Sequence, residues 1–366
     1  MRAVGAKGEF EQARSAGAAY TWTASALVVL LLYYELTPHA VALGWALFGL
    51  ALFEIGVQWN SRNWRLQSYA MFGLSFVRLA AFNLGFGPRE LLLTTLPVAF
   101  VFYFVYARLA RLTDGERAGA ASDPFVLDRQ IYAGNILAYL GSATLVLFAR
   151  SYFADGWVVV AWASLSLAFI AVSWGAKKDV FLQHSVIVAF LVFLQCLAYE
   201  AIASNLGRPS WKADHGLYVA VAAAILFAAQ AFAFPLRARF AAVRSNRSAR
   251  ELELPDLLQR PEQIYFFLPM IVVTWLILND VTQGRVTIGW GIEAVAAFLF
   301  ALIVGERSFR LAGLGLLLVC VAKIVVLDVW RQERSDRFIT FIILGVALLL
   351  VSYLYTRYSE AIRRYL

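Results

Sequence analysis

Six ionisable side chains interrupt otherwise apolar stretches of this chain: Glu54, Arg78, His184, Glu200, Glu293 and Lys323. Placing a charge in hydrocarbon costs about 2.5–3.5 kcal/mol on insertion scales, so these residues are the first place to look for pairing or for a solute path. Glu293 and Lys323 form the sharpest pair. They lie at similar depth on two apolar segments joined by a short turn at 305–307, so the spacing predicts a salt bridge between antiparallel helices. Such a bridge is a structural lock first and a gate or substrate contact second. Arg78 has no acidic partner at equal depth on a segment next to it in sequence. Its long side chain can snorkel to the interface, or its guanidinium can clamp an anion through two parallel bonds. Glu54 sits near one end of its segment and Glu200 near the end of another, where each can face water.

The remaining chemistry is sparse. His39, His184 and His215 lie on different loops or ends, without metal-ligand spacing, and His184 reads as a surface residue beside Lys177 and Lys178. Neither H-E-x-x-H, G-x-S-x-G, a P-loop nor G-x-G-x-x-G occurs, so no catalytic residue, cofactor or metal is assigned and nothing points to an enzyme. Cys196 and Cys320 lie in apolar interiors and read as small hydrophobic packers rather than a disulfide.

The elements that carry these residues are membrane spans. Hydrophobic residues make up 61% of the 366, charged residues 15%, and mean hydropathy is +0.68. A soluble domain carries about 25% charged residues, whereas crossing a bilayer takes about 20 mainly apolar residues per helix. About 12 such spans are predicted, at roughly 17–34, 39–58, 66–86, 91–108, 131–149, 156–174, 181–203, 216–234, 262–279, 287–304, 308–327 and 337–355. The runs are continuously apolar and too long for barrel strands, so the fold class is all-α and polytopic.

With both termini in the cytoplasm, 22 of the 32 Lys and Arg fall on the cytoplasmic side and 8 outside, leaving Arg78 and Lys323 within spans. That is the positive-inside bias of an inserted chain. The net charge of +8, concentrated in 237–250, therefore reads as a topology determinant that meets anionic membrane lipid, with no nucleic-acid partner. The polar, positive start before the first span reads as leading into an uncleaved first helix rather than a signal peptide.

Two charged connections divide the spans into three sets of four. The organisation is 1–108 (leading segment and first set), 109–130 (cytoplasmic loop), 131–234 (second set), 235–261 (basic cytoplasmic loop) and 262–366 (third set and tail). In each set a Tyr precedes a Gly-Trp pair by the same interval, at Tyr20/Trp45, Tyr132/Trp157 and Tyr265/Trp290. Sets one and three align without gaps at an offset of 245, matching Arg65 to Arg310, Arg78 to Lys323 and Asn83 to Asp328. These matches predict an internal repeat of one four-helix unit. The Tyr and Trp columns read mainly as interfacial anchors, since their rings prefer the membrane boundary. The alanine-rich stretch 220–233 predicts a tightly packed helix, and Gly313 and Gly315 predict a close neighbour for theirs. Pro97 is the clearest proline inside a span, and discontinuous helices are not evident.

The third set carries Arg310-Leu311-x-Gly313-Leu314, then Lys323-x-x-x-x-Asp328, Arg337-Phe338, Gly345 and Ser352-Tyr353-Leu354-Tyr355. This resembles the C-terminal end of a bacterial family of polytopic membrane proteins named only as a domain of unknown function. The resemblance covers roughly the last 70 residues and implies an inner-membrane protein; it transfers no functional residue. Together these readings predict a transporter- or flippase-like protein for a small or lipid-linked solute, with Arg78, Glu293 and Lys323 near its path. The alternative is a non-catalytic scaffold or assembly subunit of an envelope complex, with other envelope proteins as partners.

Overall fold

A computed structural model of the chain describes residues 2–113, 125–206, 209–246, 258–281 and 285–324, with a few positions between 342 and 353. Side chains of the first helix are described from Gly17. The elements in order are α1 (Arg2–Glu35), α2 (Val41–Gln58), α3 (Arg62–Phe82), α4 (Pro88–Thr113), α5 (Val126–Gln130), α6 (Ala133–Tyr152) and α7 (Asp155–Ala176). They continue as α8 (Asp179–Leu206), α9 (Pro209–Ala228), α10 (Gln230–Asn246), α11 (Pro261–Asp280), α12 (Val286–Val304) and α13 (Arg307–Lys323). All of the regular structure among the described residues is helical.

Nine stretches among the described residues are helical, long and apolar enough to cross a bilayer. The protein is therefore a polytopic membrane protein. The expected spans at 66–86 and 308–327 fall on α3 and α13, which are not among the nine. Polar content explains the first, since α3 carries Arg62, Arg65 and Arg78, whereas α13 is described over only 17 residues, short of a full span. The span expected at 337–355 falls largely outside the described residues.

The chain divides into two compact units, Met1–Val158 and Val159–Leu366. The second set of four helices is thereby shared. Its first helix, α6, packs on α4 within the first unit, where Tyr103 and Ser142 join their hydroxyls at 2.8 Å and Gly141 gives the Tyr103 ring room.

In each unit one antiparallel hairpin forms the tightest pair of helices: α2 on α3 in the first, α12 on α13 in the second. Lipid supplies no hydrophobic drive between helices, so close approach and hydrogen bonds must hold them. At Gly313 a Cβ would sit 2.9 Å from both Ala294 O and Phe298 N, so α13 lies against the backbone of α12 itself. Gly315, by contrast, faces open space. The turn between these helices uses Gly305 in the left-handed conformation (φ +78°), which a residue with a Cβ adopts at a cost.

The helix expected at 216–234 runs on through 242, with one irregular residue, Ala229, inside it. α9 stops at Ala228 and α10 starts at Gln230, with the Ala229 N–H donating to Leu226 O and the Phe232 N–H to Ala229 O, both three residues back. Pro235, inside α10, adds a second local perturbation just beyond Ala229. It has no N–H for the Ala231 carbonyl, and its ring crowds the preceding turn. The dense packing expected of the alanines is nonetheless present, because Ala222, Ala223, Ala229 and Ala233 are all buried.

Candidate functional site

The Trp column makes a contact that its interfacial reading did not anticipate. Trp45 Nε1 donates to Val29 O at 3.1 Å, and Trp290 Nε1 donates to Thr274 O at 2.9 Å. The offset between both donors and both acceptors is 245. In each case the indole ties the second helix of a set to a carbonyl of the first. The Tyr column diverges. Tyr20 and Tyr132 are exposed, whereas Tyr265 is buried with its hydroxyl bonded to Ser166 (3.0 Å) and Ser185. Tyr265 therefore locks α11 to α7 and α8 instead of anchoring at an interface.

Around Trp290, the seam of α11, α12 and α13 collects two of the ionisable residues singled out from sequence. The Glu293 carboxylate accepts from Thr274 Oγ1 at 2.9 and 3.0 Å. Lys323 Nζ donates to Thr287 Oγ1 at 2.7 Å and lies 5.7 Å from the centre of the Trp290 ring. Thr287 and Glu293 are six residues apart, about 9 Å of helical rise. The ammonium thus reaches toward the start of α12, while the carboxylate sits deeper against α11. The structure brings both charges to one seam and gives each its own hydroxyl.

Arg78, which matches Lys323 in the offset, behaves in a similar way. Its Nη2 donates to Pro38 O at 3.2 Å in the α1–α2 connection, and its guanidinium lies 4.4 Å from the Phe82 ring. Glu54 forms a half-open pair with Arg108, Oε1 to Nε 3.6 Å. Glu200 falls on α8, but its side chain is outside the described residues. His184 differs from its surface reading: it is buried against the edges of Phe169 and Phe181.

Two charge clusters were not picked out from the sequence. Arg65 and Asp128 form a buried pair, each side chain 1% exposed, with Nε at 3.0 and 3.2 Å from the two carboxylate oxygens and Nη2 at 3.0 Å from Oδ2. Tyr69 adds its hydroxyl to Asp128 at 2.6 Å, and the Phe125 ring lies 4.7 Å from the guanidinium. Gly56 is required beside them, because a Cβ there would come within 2.7 Å of Arg65 Cγ and 2.9 Å of Arg65 N. A signal for Arg65 was present in its match to Arg310, which is also buried. Its acid is 63 positions away on the short α5, beyond the reach of any local pattern.

The second cluster surrounds the irregular turn at Ala229. Arg237 on α10 pairs with Glu306 in the α12–α13 turn and lies 3.5 Å from Glu262 at the start of α11. Glu262 is fully buried, and neither of its carboxylate oxygens receives a hydrogen bond. Gln230, the first residue after that turn, donates its Nε2 to Glu262 O at 2.8 Å and leaves its own Oε1 unbonded and buried. Arg239 meanwhile pairs with Asp179 at the start of α8. Residues 237 and 239, expected to act through the net charge of their loop, thus hold three helix starts and turns in register.

Among the described residues no group of three or more His, Cys, Asp or Glu is arranged to hold a metal. Residues 231–358 match a family described as a predicted membrane protein (DUF2339). That match agrees with the resemblance seen in the third set and reaches further back, into α10. No curated protein and no solved structure matches the chain.

Proposed function

We propose that the protein is a transporter- or flippase-like carrier of a small or lipid-linked solute. The observation that carries this reading is the irregular turn at Ala229 within a spanning helix, with Gln230 and Glu262 buried beside it. Discontinuous spanning helices recur at the binding sites of transporters, because the freed backbone and polar side chains can serve a solute. Glu262 is buried in an apolar bundle with the Arg237 guanidinium 3.5 Å away and no closer hydrogen bond, and a transport role gives a reason for keeping so loosely held a carboxylate there. Glu293 and Lys323, in the same unit as this irregularity, remain candidates for lining the path, with Glu200 nearer its end. The excess of Lys and Arg on one side supports both termini in the cytoplasm, and the resemblance of the third set to a bacterial family supports an inner membrane.

Mass spectrometry of the chain purified with its native lipids tests the reading. A co-purifying small molecule or isoprenoid-linked lipid, diminished by joint Glu262→Gln and Gln230→Leu replacement, is the expected result. Recovery of stoichiometric protein partners with no such molecule would overturn it in favour of a scaffold. One feature favours that second reading: the aromatic pile in the same unit, where Phe266 stacks on Phe309 at 3.8 Å between centroids with Phe300 and Phe267 around them. A filled aromatic core suits a static bundle.

A further inference from the structure

The connection between α1 and α2 presents two consecutive carbonyls, each taken by a side chain from the far end of α3. Arg78 Nη2 donates to Pro38 O at 3.2 Å, and Asn83 Nδ2 donates to His39 O at 2.8 Å. Neighbouring carbonyls therefore hold the guanidinium and the carboxamide side by side. Each side chain retains one buried polar atom without a hydrogen-bond partner: Arg78 Nε, a donor, and Asn83 Oδ1, an acceptor. Among the described residues no carboxylate pairs with Arg78.

We propose that Arg78 and Asn83 form a site for the phosphodiester of a membrane lipid whose headgroup also carries a hydrogen-bond donor. The phosphate takes the Nε and Nη hydrogens of Arg78, the geometry in which a guanidinium holds a phosphate through two parallel bonds. The headgroup donor, a hydroxyl for instance, takes Asn83 Oδ1. One ligand thus satisfies a leftover donor and a leftover acceptor at once. The surroundings select a lipid over a soluble phosphate ester. Phe82 is 62% exposed and Val77 is 61% exposed on the same stretch of α3, and Tyr33 of α1 lies 6.0 Å from the guanidinium. This rim offers apolar surface to acyl chains beside a fixed positive charge. Because Asn83 is fully buried and the Phe82 ring lies over the guanidinium, the lipid enters only as that 62% exposed ring moves aside. The site lies in the first unit and does not depend on the transport reading.

The test is titration of the full chain in non-ionic detergent with phosphatidylglycerol, phosphatidylcholine and inorganic phosphate, with lipid occupancy read by native mass spectrometry. Phosphatidylglycerol supplies both the anion and hydroxyl donors, whereas phosphatidylcholine has a phosphate but no donor for Asn83. The expected result is preferential retention of phosphatidylglycerol, weakened roughly tenfold or more by Arg78→Gln, the range for losing a charge-assisted hydrogen bond. Arg78→Lys keeps the charge without the planar fork and should fall between the two. Equal retention of the two lipids, equal binding by wild type and Arg78→Gln, or displacement of the lipid by equimolar inorganic phosphate would each overturn the assignment. Should Arg78→Gln fail to fold, the wild-type lipid comparison and Arg78→Lys decide the matter.

Discussion

Removal of Asp128 takes away the carboxylate that faces the Arg65 guanidinium, in a site where the Arg65 side chain is 1% exposed. The pair is held by three nitrogen–oxygen contacts of 3.0 to 3.2 Å. Tyr69 depends on the same carboxylate. Breaking a buried pair from one side costs about 3–5 kcal/mol, because the surviving charge loses its counter-charge without regaining water. Asp128→Ala should therefore destabilise the first unit by about 3–5 kcal/mol, with loss of the Tyr69 hydrogen bond placing it toward the upper end. At roughly 2–4 °C per kcal/mol for a domain of this size, the midpoint of thermal unfolding in detergent falls by about 6–20 °C. The informative comparison is with the double variant Arg65→Met, Asp128→Leu. It removes both charges and refills their volume, so it should recover most of the loss. Fluorescence-detected size-exclusion after graded heating measures all three proteins. An Asp128→Ala protein within about 1 kcal/mol of wild type, or a double variant no more stable than the single, would refute the claim that desolvated charge is what the pair neutralises.

Gly313→Val should cost about 1–3 kcal/mol or more by forcing α13 off α12, whereas Gly315→Ala, facing open space, should leave thermal stability nearly unchanged in the same assay. Trp45→Phe and Trp290→Phe each remove one indole-to-carbonyl bond and should lower stability by similar amounts, about 0.5–1.5 kcal/mol; a large inequality would argue against equivalent roles. Tyr265→Phe should cost about 1–2 kcal/mol and raise hydrogen exchange along α7 and α8, since Ser166 and Ser185 lose their shared partner. Glu54→Gln should change the unfolding midpoint little, because its pair with Arg108 is partly open to the surroundings and worth at most about 1 kcal/mol.

The offset of 245 between the first and third sets relates more than residue letters. It joins Trp45 to Trp290 together with the carbonyls they bind, and it joins the Arg65 N–H bond to Ser61 O with the Arg310 N–H bond to Glu306 O. The same offset also exposes a divergence. In the first unit, α1 and α3 meet through polar groups: Ser25 donates to Gln67 at 2.7 Å, and Gln67 and Asn63 both donate to Thr21. The positions matching Thr21 and Gln67 are Phe266 and Ala312, and there the seam is filled by stacked phenyl rings. Polar pairing and aromatic packing are alternative ways of joining helices that lipid alone does not press together. The first and third sets thus share the indole contact and differ in how their outer helices are joined.

The sequence alone determined the helical membrane class, most of the span positions and the pairing of segments such as α12 with α13. Those properties are local: the length of an apolar run against a bilayer's thickness, and a turn too short for anything but an antiparallel return. Buried free cysteines at 196 and 320 followed from the same local reasoning. Tertiary structure decided which charges meet. Arg65 finds its acid 63 residues away, Arg237 lies beside acids from two other elements, and Glu293 and Lys323 settle on separate threonines along one seam. Where a long side chain ends depends on which neighbours come within a few ångströms of its tip, and spacing along one helix carries no record of that.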